Sequence, residues 1–196
     1  EVLQSVWVIG VALVILSTLE AYFAFKIPFF TQQTEDTDAY FEMKKYLSLG
    51  YLKDNVRTLK ADQNIWLSVI GLSLFWGVSQ IVLAAFPAYY KAMFNADNAI
   101  VIQAILAVSG VGLVVGSYLA GRASRLHIEL GIVPIGALGI CASLFFLTVA
   151  QSDWILVFCS FAFGFSGGLF IVPLNATIQY FAPEKISGKI MAGNNF

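Results

Sequence analysis

Asn175 and Gln179 stand one helical turn apart within a long apolar run. Amides at i and i+4 share one face of a helix, where they hydrogen-bond either a polar headgroup or a neighbouring helix. Gln80 and Glu20 are further polar groups carried inside such runs, and together the four form the candidate substrate-contacting set. A carboxylate at such depth must pair, take a proton or face water. Glu20, six residues before Lys26, therefore serves either substrate or proton coupling, or an ion pair near the interface. Upstream of the amide pair come Gly164, Gly167 and Gly168, then Pro173. Proline removes a backbone donor and leaves the carbonyl near Leu169 without its usual partner, while glycines let the backbone bend. These four residues are expected to break the helix, expose backbone groups and line or gate a cavity.

A second group, Arg122, Arg125, His127 and Glu129, falls in a short link between apolar runs, and its two arginines are read as an electrostatic anchor. No acid or Cys stands at ligand spacing beside His127, so no metal is expected. Neither a Ser-His-Asp arrangement nor a pair of catalytic acids is present, and the segment lacks an enzyme's equipment. Gly110-x-Gly112 follows no strand and precedes no ribose-binding acid, which excludes a dinucleotide loop, and no cofactor is expected. Cys141 and Cys159 lie singly in apolar runs, without the spacing of a zinc site or a disulfide framework. Gly112 and Gly116 form a literal GxxxG, a spacing that brings helix backbones close together.

The elements that must position these residues follow from composition. The 196 residues are 59% hydrophobic and 12% charged, against about 45–50% and about 25% in soluble domains. The charges concentrate between Lys26 and Asp62, where acids and bases balance, so there is no basic field for nucleic acid. A helix crossing about 30 Å of hydrocarbon needs about 20 mainly apolar residues. Five runs qualify: 3–25, 65–90 (with its end at Phe86-Pro87), 98–121, 130–150 and 154–182. Their length excludes barrel strands, and the expectation is an all-α, polytopic membrane bundle. Lys and Arg are abundant in 26–62 and in the 122–127 link and sparse in the 91–97 and 151–153 links. Positive charge is retained in the cytoplasm, which puts Glu1 outside and both 26–62 and 184–190 inside. The stretch 37–62 reads as an amphipathic helix lying flat, divided at Gly50, which meets either anionic headgroups or protein.

Three segments, SVIGLSLFWGVSQIVLAAFPAYYK (68–91), LAVSGVGLVVGSYLAGRASRLHIELGIVPIGALGI (106–140) and GGLFIVPLNATIQYFAPEKISGKIMAGNNF (167–196), resemble the lysophospholipid-transporter branch of the major facilitator superfamily. That branch includes bacterial proteins in which the transporter is fused to an acyltransferase and an acyl-acyl carrier protein synthetase. Gly116, Gly121, Arg122 and Arg125 resemble the family's cytoplasmic loop motif, although no acid occupies its acidic place. The resemblance implies a partial major-facilitator fold of about five complete spans plus the start of another. Residues 1–30 would be the last helix of the N-terminal half, 31–63 the cytoplasmic central loop, and 64–196 most of the C-terminal half. It further implies inward movement of lysophospholipid across a bacterial inner membrane for reacylation. The implied partners are membrane lipid, the remaining transporter half and a fused or associated acyltransferase, and the native polypeptide would be longer at both ends.

Overall fold

The computed structural model describes residues 2–26, 43, 50–94, 98–125, 127–183 and 187–194. It divides into two compact units, Glu1–Glu42 and Met43–Phe196. The first holds helix α1, Val2–Phe25, which coincides with the expected first span. Near its end the Lys26 ammonium lies 4.9 Å from the centre of the Tyr22 ring. Of the expected amphipathic stretch 37–62, residues 37–42 and 44–49 fall outside the described residues, whereas 50–62 is described and begins with a helix at Gly50.

The second unit contains α2 (Gly50–Leu59), α3 (Gln63–Phe94), α4 (Ala99–Ala123), α5 (Ile132–Thr148), α6 (Asp153–Phe181) and α7 (Ser187–Asn194). Side chains fix the starts of two of the long helices. Asp62 Oδ1 accepts from the Asn64 and Ile65 amides at 2.7 and 3.2 Å, and Asn98 Oδ1 accepts from the Ile100 and Val101 amides at 3.1 and 3.3 Å. In this way each satisfies two of the donors that a helix start leaves unpaired. Pro134 falls in the first turn of α5, where a missing N–H is harmless. Pro87 does not end α3, which continues to Phe94. The helix beyond it is held at its turns by Tyr89, whose hydroxyl donates to the Leu147 carbonyl at 2.9 Å, and by Tyr90, whose hydroxyl donates to Asp153 Oδ1 at 3.0 Å.

Helix α6 is the hub, packing on α3, α4 and α5. Gly112 and Gly116 of α4 meet Gly164 and Gly168 of α6 at main-chain distance. A Cβ at Gly112 would stand 2.9 Å from the Phe165 amide, and one at Gly168 would stand 2.6 Å from the Leu113 carbonyl oxygen. The α5 contact is built the same way, since a Cβ at Gly136 would lie 2.8 Å from the Ser166 carbonyl oxygen. Absence of side chains is what lets three helices crowd α6.

Apolar clusters close both ends of the bundle. At one end Leu59 of α2 and Ile190 of α7 join Ile65, Val69 and Leu72 of α3 and Leu174 and Ile178 of α6. At the other, Phe86 and Tyr90 join Ile102, Ile105 and Leu156. The outward faces are apolar too, with Leu74, Ile81, Ile100, Val114, Leu138 and Phe158 all exposed. A helix that is hydrophobic all round belongs in protein or in lipid. Among the described residues three helices, α3, α4 and α6, are long and apolar enough to cross a membrane. Helix α5 spans 17 residues, shorter than the 130–150 run suggested, because residues 130 and 131 turn before it and the helix ends before 149 and 150.

Candidate functional site

Between the two end clusters, α3, α4 and α6 part to leave an apolar cleft of about 140 Å³, with Leu147 of α5 at one edge. Phe75 organises its wall. The ring stacks on Phe163 with centroids 5.9 Å apart, tilts against Phe170 at 6.4 Å and meets Trp76 edge-on at 5.5 Å. Gly167 makes room for it, since a Cβ there would lie 2.6 Å from Phe75 Cζ. Two of the three hydroxyls in the lining are used within their own helices: Ser79 Oγ donates to the Phe75 carbonyl at 2.8 Å, and Ser109 Oγ to the Leu106 carbonyl at 2.6 Å. The third belongs to Ser160, which is 4% exposed. No ionisable side chain lines the cleft among the described residues. Such a site suits an apolar or weakly polar group and offers an ion nothing.

The residues singled out from the sequence lie elsewhere or play another part. Helix α6 is continuous from Asp153 to Phe181, so Gly164, Gly167, Gly168 and Pro173 do not interrupt it. The three glycines are buried contact points, and Pro173 is accommodated with the Thr177 hydroxyl donating to its carbonyl at 2.8 Å. Asn175 is half-buried and donates from Nδ2 to the carbonyl of Ile171 in its own helix at 3.2 Å, while Gln179 one turn on is exposed. Gln80 is exposed on α3, outside the cleft lining. Glu20 is exposed on α1 among Leu16, Leu19 and Phe23, and no ion pair joins it to Lys26 among the described residues. Of the loop residues, Gly116 is buried against Phe165, Gly121 faces open space, and Arg122 and Arg125 are exposed. His127 pairs with Glu129 at 2.7 Å, and no metal-ligand cluster of three occurs among the described residues.

What sequence reasoning missed is the cleft itself. Phe75, Trp76 and Phe163 are aromatic residues in aromatic-rich runs, and single serines in apolar helices usually bond their own carbonyls. No residue type marked it: Gly110 stands in the same helix as the contact glycines, and only the structure shows that a Cβ there would meet nothing within 4 Å.

The family model of the Major Facilitator Superfamily matches residues 3–196. The chain belongs to this superfamily. As a major-facilitator chain it is a multi-pass membrane segment. Among curated proteins it is similar to lysophospholipid transporter LplT of Photorhabdus laumondii, 30% identical over 113 residues, covering 57% of this chain and 28% of that protein. The LplT of Serratia proteamaculans is 33% identical over 130 residues, covering 65% and 31%. That of Yersinia pestis (strain Pestoides F) is 32% identical over 140 residues, covering 70% and 33%. The chain thus spans about a third of the length of the curated relatives it matches. No solved structure matches it.

Proposed function

We propose that this major-facilitator chain is part of a secondary transporter that moves lysophospholipid across a bacterial inner membrane. The observation that carries the reading is its similarity, at 30–33% identity, to proteins named lysophospholipid transporter. The bundle's chemistry supports it. Charged side chains of α3, α4 and α6 stand only near helix ends, at Lys91, Arg122 and Asp153. An ion or sugar carrier needs fixed charges and polar clusters at depth, whereas a single-chain lipid needs apolar walls and a few hydrogen-bonding groups.

In this reading Glu1 lies outside, 26–62 and 184–190 lie in the cytoplasm, and imported lipid is reacylated at the inner face. Residues 1–30 and 64–196 belong to the two halves of the transporter, joined by 31–63. Asn175 and Gln179 meet the headgroup on the cytoplasmic side, with Gln80 as a further polar contact, and Glu20 serves substrate or proton coupling. The test is uptake of radiolabelled lysophosphatidylethanolamine and lysophosphatidylglycerol by spheroplasts that lack their own uptake activity. Expression of the protein should raise uptake severalfold over vector. Uptake at the vector level with the protein correctly inserted would sink the proposal.

A further inference from the structure

Ser160 presents an unexplained polar group. It is 4% exposed, lines the cleft, and no hydrogen bond from its hydroxyl is found among the described residues. No sealed side-chain nitrogen or oxygen is left without a partner among those residues either, so the Ser160 oxygen opens onto the cleft. A hydroxyl that is buried from its surroundings yet turned to a cavity requires a partner inside that cavity.

The surrounding walls define the rest of that partner. Ser160 is one turn from Phe163 and Gly164, and the α4 wall opposite runs from Leu106 to Leu113, a rise of about 10 Å at about 1.5 Å per residue. Along that length the lining is aromatic and aliphatic, and the other two hydroxyls are bonded within their helices. Gly110 belongs to the lining, and a Cβ there would meet nothing within 4 Å. We propose that this cleft binds a single-chain lipid, with the acyl chain lying between Phe75, Leu113 and Phe163 and an ester or glycerol oxygen bonded to Ser160. The site is separate from the amide pair on α6 and rests on the lysophospholipid reading for the identity of its ligand. Because an acyl chain gains little on leaving bilayer for protein, recognition comes from fit and from the Ser160 hydrogen bond, not from exclusion of water.

The test is photolabelling of the protein in inner-membrane vesicles by lysophosphatidylethanolamine carrying a diazirine near its acyl terminus, with the sites mapped by mass spectrometry. Saturable labelling is expected in peptides containing Phe75, Leu113 or Phe163. Gly110→Phe should reduce it at least tenfold by filling the cleft. Gly77→Phe, at another open and exposed position of α3 outside the lining, should leave it unchanged. Ser160→Ala, which removes only one oxygen, should lower it by about fivefold, the worth of one hydrogen bond, with the inserted amount unaltered. Parental labelling in Gly110→Phe, labelling confined to other peptides, or equal displacement by diacyl phosphatidylethanolamine overturns the cleft assignment. If spheroplasts take up lysolipid while these results are negative, the cleft alone is wrong; absence of both uptake and labelling removes the transport reading as well.

Discussion

At the scale of single residues, glycines of identical type have opposite roles, decided by what a Cβ would meet. At Gly164 it would strike the Ser109 carbonyl, whereas at Gly77 it would meet nothing within 4 Å. Gly164→Ala should therefore force α4 and α6 apart and destabilise by at least about 1–3 kcal/mol, the usual range for overpacking. Gly77→Ala should be neutral or slightly stabilising, since alanine is the better helix former. Thermal unfolding in detergent, followed by loss of monodisperse protein, ranks the two; equal midpoints would remove the glycine seam as a determinant of packing. The Tyr90 hydroxyl and Asp153 form another local unit. Tyr90→Phe and Asp153→Asn should each lower the midpoint, and the double variant should be no worse than the more damaging single one, as partners in one hydrogen bond behave.

At the scale of elements, α6 joins both kinds of evidence. Its extent, and that of α1, α3 and α4, was legible because an uninterrupted apolar run of about 20 or more residues has few other fates. Its glycines were legible as unusual but were read as breaks, since the local signal for bending and for close contact is the same. The deciding information lay in another helix: Gly112 and Gly116 repeat the four-residue spacing of Gly164 and Gly168, and the two pairs meet. The cleft was not legible because its rings and serines differ in no way from their neighbours until the helices are placed together. The α6 amides remain testable. Among the described residues Asn175 bonds only its own helix, and Gln179 is exposed, so Asn175→Leu with Gln179→Leu should leave the protein folded and inserted while lowering lysophospholipid uptake. Parental uptake would reduce both to surface and helix-internal roles. In the link after α4, the exposed Arg122 and Arg125 should behave differently from a binding site. Arg122→Ala with Arg125→Ala should depress uptake or expression yet preserve photolabelling by lysolipid, and complete loss of labelling with normal insertion would place them in the site.

At the scale of the whole molecule, orientation follows from the placement of lysines and arginines, which can be checked without any substrate. With Cys141, which is exposed, first replaced by serine, single cysteines at positions 48 and 187 should react with an impermeant reagent only from the cytoplasm, and one at position 95 only from outside. Reaction of positions 95 and 187 from the same side would overturn the span count. The seam between α4 and α6 bears on motion as well. Main chain rests on main chain there, so nothing at the joint has an alternative rotamer to adopt, whereas α3 meets α6 through the rings of Phe75, Phe163 and Phe170, which can turn. Packed interfaces rearrange between discrete arrangements of their side chains, and a joint without side chains has none to offer. Helices α4 and α6 therefore act as a keel: spin labels on that pair should hold one separation throughout turnover, and labels on α3 and α6 should report two.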